Sequence, residues 1–119
     1  MTGVRNGPLA RMILTSAGYT TIGTVPQGET WLIKTIHYLN AGSAKATVYS
    51  QLQAADGPVA ARLDQYELEP LTWQTWQGWT ALRPGDQLLV STDQADVHVW
   101  VNGAALPGNL GGPTVEHFR

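Results

Sequence analysis

Apolar and polar residues alternate along this chain in short runs, and turn residues separate the runs. The clearest case is DVHVWVN, residues 96–102, in which three valines occupy every second position and therefore share one face of an extended segment. Clusters containing Gly, Pro, Asn or Asp recur at intervals of about eight to twelve residues. This pattern predicts about eight short strands and leaves little room for helices.

The strand and turn pattern predicts one all-β domain, an antiparallel β-sandwich that is either jelly-roll-like or immunoglobulin-like. Residues 15–103 form the predicted sandwich. Residues 1–14 and 104–119, which contain several Gly and Pro residues, are predicted to be extended N- and C-terminal arms. The predicted core comprises Ile33, Ile36, Val48, Leu52, Leu82, Leu89, Val97, Val99 and Val101.

One segment breaks the alternation. In TWLIKTIHYLN, residues 30–40, Ile33 and Ile36 both have the character of core residues although they lie three positions apart. Side chains in a regular strand alternate with period two, so both can face the core only if one extra residue intervenes. We therefore predict a β-bulge around Lys34 and Thr35.

Three of the five tryptophans, Trp73, Trp76 and Trp79, are spaced three residues apart, which fits neither the helical period nor the strand period. If this segment is extended, Trp73 and Trp79 share one face and Trp76 lies on the other. A sandwich strand buries one face, so at least one ring is predicted to face outward as a contact candidate. The alternative is that the paired rings belong to the core and a loop half-covers Trp76.

The charge content changes the picture of the surface. Charged residues make up 13% of the chain, where about 25% is usual, so the exterior is unusually neutral. Such a surface suits a protein that is covered by other protein, or a small β-domain with a Thr- and Gln-rich exterior. The net charge of −2 and the scattered basic residues predict no nucleic-acid partner.

The N-terminal and cysteine patterns add little. The apolar run from Met12 to Leu14 is too short for a signal segment or a membrane span, which predicts synthesis in the cytoplasm and no membrane partner. The chain contains no cysteine and therefore has neither disulfides nor thiolate metal ligands.

No catalytic or metal-binding motif is present. The three histidines are isolated, and the chain lacks a nucleophile elbow and a phosphate-binding glycine loop. Asp64, Glu67 and Glu69 form the densest acidic group, and we interpret it as a solvated edge rather than an acid–base pair. The sequence therefore predicts a protein that is not an enzyme and has no cofactor.

Taken together, the segments TVPQGETWLIKTIHYLNAGSAKATVYSQL, WQGW, LRPGDQLLVST and DVHVWVNG resemble small β-sandwich structural proteins of tailed bacteriophages. The pattern includes the opening Thr24, Val25, Pro26 and Gly28, and the turn formed by Leu82, Pro84, Gly85 and Asp86, and it covers roughly residues 19–103. The resemblance implies a virion component, a capsid decoration subunit or a protein of the neck or tail, that acts through contacts with other virion proteins and forms homo-oligomers.

Two functions from different classes remain open. As a virion subunit, the chain would make protein contacts through Trp76, Trp100, Trp31, Tyr49, Leu106, Leu110, Val115 and Phe118. As a carbohydrate-binding module, it would stack Trp76, Trp100 and Trp31 on sugar rings of a host-surface glycan. Polar residues grouped around the rings would favour the second function, and no such Asp or Asn cluster is evident in the sequence.

Overall fold

The computed structural model describes residues 4–55 and 60–107, with Ala60 described by its backbone only. The β-branched and aromatic runs of the sequence form eight strands, and the turn signals separate them. The strands are β1 (Arg5–Leu14), β2 (Gly18–Thr24), β3 (Glu29–Asn40), β4 (Ala46–Gln53), β5 (Ala60–Leu68), β6 (Trp73–Leu82), β7 (Gln87–Thr92) and β8 (Val97–Pro107). Within these ranges no helix has the length and apolar character needed to cross a membrane.

The strands form two four-stranded antiparallel sheets. Sheet A has the order β1-β8-β3-β6, and sheet B has the order β2-β7-β4-β5. The hydrogen-bonded neighbours include β1 with β8, β2 with β7, β3 with β6 and β4 with β5. These are the pairs of one long hairpin rolled into a sandwich, which is the jelly roll. The predicted all-β sandwich is therefore confirmed, in its jelly-roll form.

The core lies between the sheets. Most of the predicted core residues are fully buried there, with Leu52 half-buried against them. The prediction for Leu89 is wrong, because Leu88 and Val90 are the fully buried residues of β7 and the alternation leaves Leu89 on the outer face. Both faces of this strand carry aliphatic residues, so the sequence pattern did not distinguish them.

The predicted bulge in β3 is confirmed. The register shifts between Ile33 and Thr35 on both sides of the strand: β3 has one extra residue relative to β8, and β6 has one extra residue relative to β3. Ile33 before the bulge and Ile36 after it are consequently both fully buried.

At the same level β8 passes very close to β3. Gly103 pairs with Ile33, and a Cβ atom added to Gly103 would lie 1.9 Å from the carbonyl oxygen of Leu32. Only glycine permits this approach of the two backbones.

The boundaries of the sandwich differ from the predicted ones at both ends. Residues 5–14 form β1, which pairs with β8, and Leu14 is buried in the core. Residues 104–107 continue β8, where Ala104 and Ala105 are buried. The edge of β8 that does not pair with β3 is thus covered by β1, a strand from this chain's own N-terminal segment. The remainder of the predicted arms, residues 1–3 and 108–119, lies outside the described residues.

The first testable prediction concerns Gly103. We expect Gly103→Ala to lower the free energy of unfolding by about 3 kcal/mol, because the added methyl group meets backbone that cannot move without breaking the β3–β8 pairing. Gly23→Ala is the matched control and should cost less, since its Cβ would meet a side chain, the Trp31 ring, at 3.0 Å rather than a backbone atom at 1.9 Å. Chemical denaturation of both variants measures the difference. Equal stabilities of the two variants would contradict the close approach.

Candidate functional site

The outer face of sheet A carries most of the exposed aromatic surface, and we call it the aromatic face. It includes Trp73, Trp79 and Trp100, whose exposed fractions are 67%, 69% and 38%. Partners in antiparallel strands share a face, so the register defines two rows across the sheet. These rows are Ile13, His98, Leu39 and Trp73, and then Arg11, Trp100, His37 and Thr75.

Local contacts hold the rings of this face. The Trp100 ring lies 5.9 Å from the His37 ring, and His37 Nδ1 is hydrogen-bonded to the Thr75 hydroxyl at 2.9 Å. Lys34 Nζ lies 5.1 Å from the centre of the Trp79 ring, within the range of a cation–π contact. Lys34 is the residue of the β3 bulge, so the bulge determines which ring the cation meets.

An open groove of about 420 Å³ lies along β1 and β8 at one side of the aromatic face. Its lining is apolar apart from one arginine and one histidine, and consists of Arg11, Met12, Ile13, His98, Val99 and Trp100. Ile13 is half exposed there, so the aromatic face continues as apolar surface to the edge strand of sheet A.

Among the tryptophans proposed as contacts, Trp100 lies on the aromatic face and Trp31 does not. Trp31 is 5% exposed, it belongs to the core, and its indole N–H donates to Glu29 Oε1 at 3.1 Å. Its assignment as an interface or sugar-stacking residue is therefore wrong. The reason is that Trp31 is in phase with Ile33, a residue that the sequence already assigns to the core.

At least one ring of β6 faces outward, as predicted, but it is not that of the contact candidate Trp76. Trp73 and Trp79 share the outer face, whereas Trp76 pairs with the buried Ile36 and packs, half-buried, against the core. Gly78 leaves room for the Trp76 ring, because a Cβ atom at this position would lie 2.7 Å from it. The sequence contained a signal for this orientation. Trp76 lies an even number of positions from the core residue Leu82, and such residues share one face of a strand.

The other contact candidates are spread over the molecule. Tyr49 lies on the outer face of sheet B, and Leu106 is half-buried near the end of β8, where it pairs with Thr30. Leu110, Val115 and Phe118 lie outside the described residues. Of the candidates that lie within residues 4–55 and 60–107, the structure therefore places only Trp100 among the exposed residues of the aromatic face.

Asp64 is a half-buried acid whose hydrogen bonds join the two sheets. Its carboxylate accepts hydrogen bonds from the Tyr38 hydroxyl at 2.8 and 3.0 Å, from the Ser50 hydroxyl at 2.9 Å and from the Ser50 N–H at 2.8 Å. Burial raises the pKa of Asp64, and the bonds from Tyr38 and Ser50 partly oppose that shift. The pKa of Tyr38 is also raised, first by its burial and then by the charge of Asp64.

These contacts give Asp64 a structural role. Within the described part of the chain its hydrogen-bond partners are a tyrosine and a serine, and neither a second carboxylate nor a histidine bonds to it. Asp64 therefore does not belong to the solvated acidic edge assigned from sequence, whereas Glu67 and Glu69 are exposed and pair with Lys45. Across residues 4–55 and 60–107, no group of three or more His, Cys, Asp or Glu side chains is placed to hold a metal ion.

No protein-family model matches the sequence, and no curated protein sequence matches it either. Among solved structures, the fold is similar to that of a protein of the infectious bursal disease virus particle, with a TM-score of 0.57 and 9% identity over 89% of this chain and 31% of the viral chain. The Gx strain of the same virus gives a TM-score of 0.53 and 9% identity over 92% of this chain and 33% of the viral chain.

A third similar structure is a xylanase 10B fragment of Clostridium thermocellum that includes a CBM22-1 module. Its TM-score is 0.48 with 14% identity, over 82% of this chain and 21% of that one, which is too weak to support an argument. This chain spans about a third of each viral protein. At such low identities the viral structures show a shared fold and nothing more.

The second prediction concerns the pH dependence of stability. The folded-state pKa of Asp64 is raised, so its contribution to stability is fully present below the unfolded pKa of about 3.9 and is lost as pH rises through the folded pKa. We therefore expect the wild type to lose stability relative to Asp64→Asn as pH rises from acid to neutral. Denaturant unfolding of both proteins over this range measures the difference.

Tyr38→Phe is a second variant for the same test. It removes a hydrogen bond that lowers the pKa of Asp64, so the loss of stability with rising pH should extend to higher pH than in the wild type. If the difference in unfolding free energy between the wild type and Asp64→Asn stays constant with pH, the raised pKa of Asp64 is contradicted.

Proposed function

We propose that this protein is a non-enzymatic structural subunit of a tailed-phage particle, a capsid decoration protein or a component of the neck or tail. In this proposal it acts through protein contacts made by the aromatic face. The observation that carries the proposal is the exposure of Trp73, Trp79 and Trp100 on one outer sheet face. A monomeric protein rarely exposes a broad aromatic surface, whereas tryptophans at the centre of an interface commonly dominate its binding energy.

The charges of sheet A indicate the chemistry of the partner. Its strands contain only one acidic residue, Glu29, which pairs with Arg5 at 3.3 Å. Arg11 and Lys34 have no carboxylate partner among the described residues. A partner surface that brings carboxylates to these two cations would complement the aromatic face.

The fold is compatible with this role. A jelly roll of this size also occurs within a protein of the infectious bursal disease virus particle. Fold alone does not determine function, so the proposal depends on the aromatic face and on the resemblance to phage structural proteins.

Carbohydrate binding through the tryptophans is less well supported. Of the three rings assigned to sugar stacking, Trp31 is buried and Trp76 packs against the core, which leaves Trp100 alone. In its row Trp100 is flanked by Arg11 and by His37, whose Nδ1 is already hydrogen-bonded to Thr75, whereas a sugar platform needs grouped side chains that are available to bond sugar hydroxyl groups.

Locating the protein tests the proposal directly. Mass spectrometry of purified particles should detect the chain at a fixed copy number, and immunogold labelling should assign it to head, neck or tail. Absence of the protein from the particle would reject the proposed function.

The third prediction concerns the exposed rings. We expect Trp100→Ala and Trp79→Ala each to weaken assembly into particles, or self-association, by roughly thirtyfold, because truncating a central interface tryptophan removes a dominant contact. Val4→Ala is the control, since Val4 is an exposed apolar residue that precedes β1. Sedimentation of the isolated variants and their incorporation into particles measure the effect. If both tryptophan variants self-associate and incorporate into particles like the wild type, the contact surface lies elsewhere.

The fourth prediction concerns residues 108–119, which we include in the proposal as a contact arm with Leu110, Val115 and Phe118 as its apolar anchors. A chain ending at Pro107 keeps all of β8 and should retain the stability of the full chain, yet it should incorporate poorly into particles. A full-length variant with the three anchors changed to Ala should behave in the same way. Normal incorporation of both variants would remove this segment from assembly.

A further inference from the structure

The outer face of sheet B carries a second cluster of exposed side chains, and its chemistry differs from that of the aromatic face. Antiparallel pairing defines two adjacent rows across the four strands. The first row is Tyr19, Ser91, Tyr49 and Gln65, and the second is Thr21, Leu89, Gln51 and Arg62. We call Tyr19, Tyr49, Arg62 and Gln65 the tyrosine–arginine cluster.

Contacts within the cluster fix its geometry. The Tyr19 and Tyr49 rings meet edge to face with centroids 5.8 Å apart at 85°, and their hydroxyl groups are hydrogen-bonded. The Arg62 guanidinium carbon lies 3.9 Å from the centre of the Tyr49 ring. Arg62 Nη1 donates to Gln65 Oε1 at 2.7 Å. Each of the four side chains is thus held by another member of the cluster, although all stand at the surface.

The hydroxyl groups of Tyr19 and Tyr49 are hydrogen-bonded to each other, and either can be the donor. This bond is the main cause that raises the pKa of Tyr19 and lowers the pKa of Tyr49. Tyr49 is covered by the guanidinium, whereas Tyr19 is 57% exposed and presents its ring to solvent.

Arg62 is held in place without being neutralised. Among the described residues no carboxylate lies within ion-pair distance of it, and Glu67 on the same strand pairs with Lys45. A guanidinium that rests on an aromatic ring keeps its in-plane N–H groups available as a rigid fork for a carboxylate. Since stacking and the Gln65 bond already order the side chain, binding an anion there costs less conformational entropy than at a free arginine.

We propose that the tyrosine–arginine cluster binds a saccharide that carries a carboxylate group. Arg62 holds the carboxylate, and the exposed ring of Tyr19 packs against the C–H face of a sugar ring. The amides of Gln51 and Gln65 lie in the same rows and bond sugar hydroxyl groups, which both donate and accept. This is the grouping of polar residues around an aromatic ring that the sequence alone did not reveal.

The surroundings of the cluster favour a saccharide over an extended peptide. The cluster crosses the outer face of sheet B from Tyr19 on β2 to Arg62 on β5, so a ligand there meets side chains on the face and not the backbone edge to which a peptide strand adds. The cluster also stands on the sheet opposite the aromatic face, so a bound saccharide leaves the proposed assembly surface free. The inference therefore does not depend on the proposed function.

Binding to the isolated full-length protein tests the inference. The probes are 3′-sialyllactose and trigalacturonic acid, and lactose and the methyl ester of trigalacturonic acid are their uncharged counterparts. Titrations followed by NMR of the labelled protein report both the affinity and the residues affected. We expect at least one acidic probe to bind with shifts around Tyr19 and Arg62, and its uncharged counterpart to bind at least tenfold more weakly.

Variants distinguish a built site from general attraction between opposite charges. Arg62→Gln should weaken acidic-probe binding by about tenfold or more, because it removes charge-assisted hydrogen bonds. Arg62→Lys should recover only part of the loss, since a lysine lacks the fork. Tyr19→Ala should weaken binding, whereas Tyr19→Phe should largely retain it. Arg83→Gln, which removes an exposed cation outside the cluster, is the matched control and should bind like the wild type.

Three results would overturn the inference: no binding of either acidic probe, equal binding of acidic and uncharged probes, or an equal loss in Arg62→Gln and Arg83→Gln. Thermal unfolding checks that each variant is folded, and we expect substitutions at the exposed Tyr19, Arg62 and Arg83 to leave the fold intact.

Discussion

The extra residue of β3 at Lys34 is the constraint on which most of the molecule depends. It restores Ile36, Tyr38 and Asn40 to the buried face after Ile33, and it assigns His37 and Leu39 to the outer face. Without it, every residue from Ile36 to Asn40 would exchange faces, because a shift of one position inverts a strand. The irregularity continues into β6, where Trp79 lies beside Lys34. Core and aromatic face are therefore determined together by one local feature of the backbone.

The same bulge makes the polar ties between the sheets possible. Tyr38 reaches Asp64 of sheet B only because its side chain points inward. Asn40, fully buried at the end of β3, donates to the carbonyl oxygens of Ala44 and Leu68 at 2.8 and 2.9 Å and accepts from the Gly42 N–H at 3.0 Å. Such satisfied buried groups favour one arrangement of the strands over alternatives, because any slip would leave them unpaired.

The sequence predicted what depends on local pattern. The eight strands, the jelly-roll or immunoglobulin-like sandwich and the bulge all followed from alternation and turn residues, because these express backbone geometry over a few residues. Which face of a strand is buried was harder to predict where both faces are apolar, as at Leu89 and Trp76. The tyrosine–arginine cluster escaped prediction for another reason. Tyr19, Tyr49 and Arg62 are far apart in the chain and meet only because β2, β7, β4 and β5 are neighbours in sheet B.

In the two proposals above, the outer faces bind different kinds of partner. Two copies packed face to face through sheet A would place the unpaired cations Arg11 and Lys34 of both copies in one interface, to which the strands contribute no acidic residue apart from the already paired Glu29. Like charges in a desolvated interface oppose such symmetric packing. The aromatic face therefore favours a different surface, either on another protein or on a neighbouring copy turned head to tail. A head-to-tail contact between copies closes into a ring when the rotation permits, which is one route from a small jelly roll to an assembled shell.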